Sequence, residues 1–144
     1  TLGAAPVASP TFTGTPAAPT AAVDTNTTQV ATTAFVQTQI AAPFTRAVTA
    51  VENLDVNCSL GNYFTKAIDG NSIFTFSNVP AAGTAYAFTL EVTHTSGTIT
   101  WPAAVVWPTN TAPTLTTGKT HLFVFITDDG GTRWRGAALA DYTN

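Results

Sequence analysis

Charge is what this sequence has least of. Only 9% of its 144 residues are charged, five Lys and Arg against eight Asp and Glu, where a globular domain usually carries about 25%. Five basic residues cannot build the dense cationic patch that a phosphate backbone requires, so nucleic acid is excluded as a partner. Cysteine occurs once, at Cys58, which rules out a disulfide within the chain and any cysteine metal cluster. Burial as a small apolar residue is its expected fate, and a chain made without disulfides suits synthesis in a reducing cytosol. Methionine is absent and the chain opens on Thr1, so it is expected to be a piece of a longer protein. No apolar run approaches the ~18 residues of a membrane span, and no signal peptide is visible, so membrane insertion is not expected.

What remains is Thr, Ala and aromatics. Residues 1–26 are Ala, Pro, Thr and Gly with little else, and Pro6, Pro10, Pro16 and Pro19 forbid a helix and break any ladder. This segment should be extended, ordered only by lying on something else. Residues 27–52 should hold a short helix and a linker. Asn26 and Gln29 make a capping-box pattern, and Pro43 closes the helical stretch. Val30, Thr33, Gln37 and Ile40 fall at spacings of three, four and three, a short seam that is half polar. Helices below ~12–15 residues are marginal alone, so this one needs partners, supplied either by identical chains or by its own β-domain. A second helical piece is expected over Thr45–Glu52.

From Leu54 onward the pattern is that of strands. The candidates are 55–60, 63–67, 73–77, 86–94, 98–101, 104–107, 121–127 and 133–139, with turn signals at Gly61-Asn62, Asp69-Gly70-Asn71, Pro80 to Gly83 and Ser96-Gly97. Short strands at regular spacing over residues 53–144 predict a mainly β tip domain, an antiparallel β-sandwich. Alternation puts Tyr86, Phe88, Leu90 and Val92 on one face of their strand, and Phe74 points with Phe76. The strongest signal is the hairpin His121 to Leu139 about Asp128-Asp129-Gly130-Gly131. A turn at Asp129-Gly130 predicts Thr127 opposite Thr132, Phe125 opposite Trp134 and Phe123 opposite Gly136, whose missing side chain leaves room for the Phe123 ring. Phe123, Phe125 and Trp134 then share a core face. The other face sets Leu122, Val124 and Ile126 beside Arg133 and Arg135, a composition suited to a subunit interface. Both arginines are expected to meet carboxylates at that boundary, with Asp128 or Asp141 as the candidates.

Two stretches carry a family likeness. Ala8-Ser9-Pro10-Thr11-Phe12-Thr13-Gly14-Thr15-Pro16, Ala18-Pro19-Thr20, Asn26-Thr27 and Ala31-Thr32-Thr33-Ala34-Phe35-Val36 together resemble a repeat of tailed-bacteriophage tail fibres. Trp101-Pro102, Trp107-Pro108, Pro113-Thr114-Leu115, Gly118-Lys119, Thr127 to Gly131 and Trp134-Arg135-Gly136 resemble the distal domains of such fibres. The resemblance implies a homotrimer at the distal end of a tail fibre, joined to the rest of the phage tail and made in the host cytoplasm. It also implies a β-rich tip that contacts a bacterial surface glycan, lipopolysaccharide or capsule. The chain ends a few residues after its last strand, as a fibre tip would.

Catalytic signals are poor. His94 and His121 sit in strands with no nucleophile motif around them, and two His with one Cys fall short of a zinc set. Asp128 and Asp129 are explained by the turn, and neither Asp55 nor Asp69 has a partner visible in sequence for glycoside hydrolysis. No catalytic residue, metal or cofactor is therefore expected. The receptor-binding candidates are Trp101, Trp107 and Tyr142, aromatics near turns or the terminus on which a sugar face could stack. The competing assignment for the two Trp-Pro pairs is that they bury their rings at strand ends. Two other functions stand beside adhesion: a structural fibre spacer or trimerisation module, and a polysaccharide-degrading tailspike.

Overall fold

The computed structural model describes residues 14–15, 17–22, 25–28, 30–41 and 47–143. The chain divides into two units, Thr1–Thr45 and Arg46–Asn144.

In the first unit one helix is described, α1 (Thr33–Ala41). It starts later than the Asn26 pattern predicts, because a different residue caps it. The Thr32 hydroxyl accepts the Phe35 N–H at 3.2 Å, and the Thr32 carbonyl takes the Val36 N–H at 3.0 Å, the arrangement of a threonine N-cap. Gln29, half of the expected capping box, lies outside the described residues. Val30 precedes the helix and is 76% exposed, so the expected seam does not start there. The extended reading of residues 1–26 falls largely outside the described residues, as do Thr45 and Arg46 of the expected second helical piece. Its remainder is not helical: Thr49–Ala50 is strand β1, and Val51 is buried in the core. The β-domain therefore begins before the expected boundary at residue 53.

The second unit is mainly β. Its strands are β2 (Asp55–Asn57), β3 (Tyr63–Asp69), β4 (Ser72–Ile73), β5 (Thr75–Ser77), β6 (Tyr86–Ser96), β7 (Ile99–Thr100), β8 (Val105–Val106), β9 (Lys119–Thr127) and β10 (Trp134–Tyr142). Six form one sheet in the order β1-β3-β6-β9-β10-β8. Its centre, β6-β9-β10, is antiparallel as expected. The flanks depart from that pattern: β1 pairs parallel to β3, β3 to β6 and β8 to β10. The β3–β6 connection is long enough for a parallel crossover, and it contains β4 and β5. Two further parallel ladders, β2-β5 and β4-β7, complete the strands.

The core lies on the sheet face that carries Phe64 and Ile68 of β3, Phe88, Leu90 and Val92 of β6, Phe123 and Phe125 of β9 and Trp134 of β10, all buried. Val56, Phe74, Phe76, Trp101 and Trp107 close over it. Phe76 is the hub, with its ring centroid 5.1 Å from Phe88, 5.1 Å from Phe125 and 5.2 Å from Trp134. Such edge-on aromatic pairs contribute about 0.5–1.5 kcal/mol each beyond the area they bury.

The hairpin has the expected faces but a register shifted by two residues. Phe125 pairs with Gly136 and Phe123 with Ala138. A shift of two preserves every inward residue, which is why the face assignment survives. The cause is the loop, which spans 128–133 rather than closing tightly at Asp129-Gly130. The Thr127 hydroxyl accepts the Gly131 N–H at 3.1 Å and donates to Asp129 Oδ1 at 2.9 Å, and Asp129 Oδ1 also accepts the Arg133 N–H at 3.0 Å. Gly130 and Gly131 both take positive φ, 71° and 81°, a conformation that costs glycine nothing. The space over Gly136 belongs to Trp107, not to Phe123: a Cβ there would lie 2.8 Å from Trp107 Cζ3.

Candidate functional site

The three sequence candidates separate in space. Trp107 is 9% exposed, pinned over Gly136 with its ring 6.1 Å from Phe123 and 5.7 Å from Phe125. It has no free face for a sugar, and it serves as core at a strand end. Trp101 sits beside it, ring centroids 5.6 Å apart. It stacks on Phe74 at 5.3 Å and tilts against Phe123 at 4.7 Å, yet it is only partly buried. Tyr142 ends β10 and is 43% exposed, paired with Thr120 beyond a bulge where Asp141 takes φ 67°. The structure thus brings Trp101 and Trp107 together and leaves Tyr142 at the C-terminal end of the sheet.

A hollow of about 280 Å³ opens at Trp101, lined by Gly97, Thr98, Ile99, Ala112, Pro113, Thr114 and Leu115. The β4-β7 ladder positions one wall. Gly97 makes the turn into it at φ 87°, with a would-be Cβ 2.1 Å from the Gly70 carbonyl carbon, so only glycine fits there. Asn71 Oδ1 accepts both the Thr98 N–H and the Thr98 hydroxyl at 3.0 Å. No lining residue is ionisable, and the lining joins apolar surface to threonine hydroxyls. Sequence reasoning found Trp101 but missed the 112–115 wall, which faces it only after the chain doubles back.

Other hollows lie on this unit, among them one of about 470 Å³ bordered by Cys58, Ser59, Gly61, Asn62, Ala85, Tyr86 and Ala87. Another, of about 420 Å³, is rimmed by Glu52, Asn53, Asp55, Asn57 and Leu60. Asp55 is committed within the domain, its oxygens accepting from Thr75 at 2.8 Å and Ser77 at 2.5 Å. A further one, of about 290 Å³, lies on the sheet face away from the core, among Asn62, Tyr63, Ala87, Thr89 and Val124.

The reactive residue types are turned inward. Cys58 is buried, its thiol donating to the Val56 carbonyl at 3.7 Å. Burial pushes its pKa up to about 11, against a lowering hydrogen bond with Tyr86. A thiol held neutral is a poor nucleophile. His94 and His121 are buried with ring centroids 6.1 Å apart. His94 Nε2 meets the Gly97 carbonyl at 2.9 Å, and its Nδ1 has no partner. His121 Nε2 meets the Thr116 carbonyl at 3.1 Å and its Nδ1 accepts the Asp141 N–H at 3.3 Å. These bonds tie β6 and β9 to the 97 and 116 loops. Among the described residues no group of three His, Cys, Asp or Glu is placed to hold a metal, and no helix is long and apolar enough to cross a membrane.

Arg135 stands on the outer face, in register with Ile126 rather than beside Val124 and Leu122, and Arg133 lies in the 128–133 loop. Within the chain both approach Asp128, Arg133 at 3.7 Å and Arg135 at 3.4 Å, with Asp129 3.9 Å from Arg133. Asp141 offers its backbone to His121 instead. Comparison of the chain with protein-family models, with curated proteins and with solved structures returned no match.

Proposed function

We propose that this chain is the distal part of a bacteriophage tail fibre, a homotrimer at the tip of the virion's fibre that binds a bacterial surface polysaccharide without cleaving it. The tail-fibre-like residues between Ala8 and Val36 support the fibre reading. The observation that carries the adhesive reading is the hollow at Trp101, where an aromatic edge and threonine hydroxyls meet with no charge among them. Such a lining exchanges water hydrogen bonds for sugar ones without desolvating an ion, and the exposed edge of the ring offers apolar contact to sugar C–H groups. In this reading the two-stranded ladders are the second layer of a β-sandwich, and Ile99 of β7 in one of them lines the hollow. A single site of this size binds sugar near the millimolar range, about 4 kcal/mol. Three copies on one axis raise avidity by orders of magnitude on a repeating glycan.

The experiment titrates purified lipopolysaccharide O-chains and capsular polysaccharide into the full chain, following tryptophan fluorescence and the glycan's chain length. Saturable binding that Thr114→Arg abolishes, with the glycan left intact, is the expected result. Shortened chains would move the assignment to a degrading tailspike. Absence of binding to any host glycan would leave a structural spacer.

A further inference from the structure

The hollow at Trp101 is graded from an apolar interior to a hydroxyl-bearing mouth. Its partly buried members, Ile99, Trp101, Pro113 and Leu115, are all apolar. Ile99, Trp101 and Leu115 also pack against the core. The polar side chains of the lining, Thr98 and Thr114, are exposed and so lie at the mouth. Most of the hydrogen-bonding capacity of the 97–98 wall is already engaged. Thr98 gives both its N–H and its hydroxyl proton to Asn71 Oδ1 at 3.0 Å, and its carbonyl accepts the Ser72 N–H at 2.9 Å. The Gly97 carbonyl meets His94 Nε2 at 2.9 Å. Lys119, the cation nearest to this wall along the chain, donates to the Thr143 hydroxyl at 2.7 Å.

That gradient decides what kind of sugar residue fits. A volume of about 280 Å³ falls just below the ~300–1,000 Å³ of drug-sized ligand pockets, so it suits one sugar ring and not a run of them. Three forms of a hexose differ only at C6: carboxylate in the uronic acid, hydroxymethyl in the parent, methyl in the 6-deoxy sugar. A carboxylate taken inside would leave water with no cation to meet it, the most costly of the three. A hydroxymethyl would bring in a hydroxyl beside a wall whose polar groups are engaged, and a buried hydroxyl left without a partner is destabilising. A methyl needs no partner and covers apolar surface. The ring hydroxyls then stay at the mouth, with the threonines and water.

We infer that the hollow takes a 6-deoxyhexose residue of an uncharged polysaccharide, its C6 methyl turned inward against Ile99 and Leu115. This rests on the glycan-binding reading of the same hollow and narrows it to one class of sugar. Uronic and sialic acid residues are excluded, since discrimination here comes from leaving their carboxylate unpaired.

The test uses methyl glycosides of the gluco, galacto and manno series, D and L, each with methyl, hydroxymethyl or carboxylate at C6. They are titrated into the full chain beside the polysaccharides, following tryptophan fluorescence and ligand-observed NMR. Trp101 is the reporting ring, because Trp107 is 9% exposed and Trp134 2%. At least one 6-deoxy glycoside should bind about fourfold tighter than its parent, the effect of one buried methyl group, and roughly tenfold tighter than its uronide. Leu115→Ala should bring the first ratio towards one while the parent still binds, with melts confirming the fold. A ratio that Leu115→Ala leaves unchanged would overturn the placement of the methyl. If parent or uronide binds as well as the 6-deoxy sugar, or polysaccharide binds and no glycoside does, the 6-deoxy assignment falls and glycan binding stands. If neither polysaccharide nor any glycoside binds, both fall.

Discussion

Phe125 shows how much one residue can hold. It is fully buried, with Phe76, Phe88, Trp101 and Trp107 at ring distances from 5.1 to 5.7 Å. Phe125→Ala would empty the meeting point of four elements, and the expected loss is ~3–5 kcal/mol, measured by urea unfolding. A loss below 1 kcal/mol would mean that the rings collapse into the gap. Cys58 gives a pH-dependent prediction. Its thiol rises from an ordinary 9.0 to about 11 because burial penalises the thiolate. The folded state then keeps a proton that the unfolded chain has already released. This contribution to stability is whole below pH 9 and is lost as pH rises towards about 11. Melts across that window should fall more steeply for native protein than for Cys58→Ala, and parallel slopes would sink the assignment.

At the level of elements, the hairpin loop deserves the same treatment as a helix cap. Thr127 is buried, and its hydroxyl serves Gly131 and Asp129 at once. Thr127→Val keeps the shape and removes the hydroxyl, leaving the Gly131 N–H without that partner. The expected cost is ~1–3 kcal/mol, seen as a lower melting temperature with accelerated amide exchange at Gly131. Exchange unchanged at Gly131 would show that the loop holds its shape without this bond. Asp129 belongs to the same unit: the Arg133 backbone N–H, then the Thr127 hydroxyl, hold its carboxyl below the usual range despite some opposing desolvation. What Asp129 contributes is therefore present at neutral pH and lost as pH falls through its lowered value.

For the whole molecule, the proposed homotrimer links unfolding to dissociation, so the melting temperature is expected to rise with protein concentration. A hundredfold dilution of the full chain should lower it by several degrees. A concentration-independent native melt would place the molecule's stability in the single β-unit.

The sequence by itself determined the mainly β character, the approximate place of the long strands and their inward faces, though not β1 or the split of 73–77 into β4 and β5, because alternation and turn residues act over a few positions at a time. It placed Phe74 with Phe76, and Phe123 with Phe125 and Trp134, and all five end in or against one core. Tertiary structure decided what depends on distant segments meeting. The hairpin slid two residues because Thr127 and Asp129 stitch a wider loop, at no change in face. The ring over Gly136 proved to be Trp107, since β8 pairs with β10 and carries the residue after it there. Trp101 lines a hollow because Pro113 to Leu115 return to form its opposite wall, an arrangement that no local pattern encodes. The parallel joins of β3 to β6 and β8 to β10 were equally unreadable, since pairing direction follows the path of the connecting chain across the core.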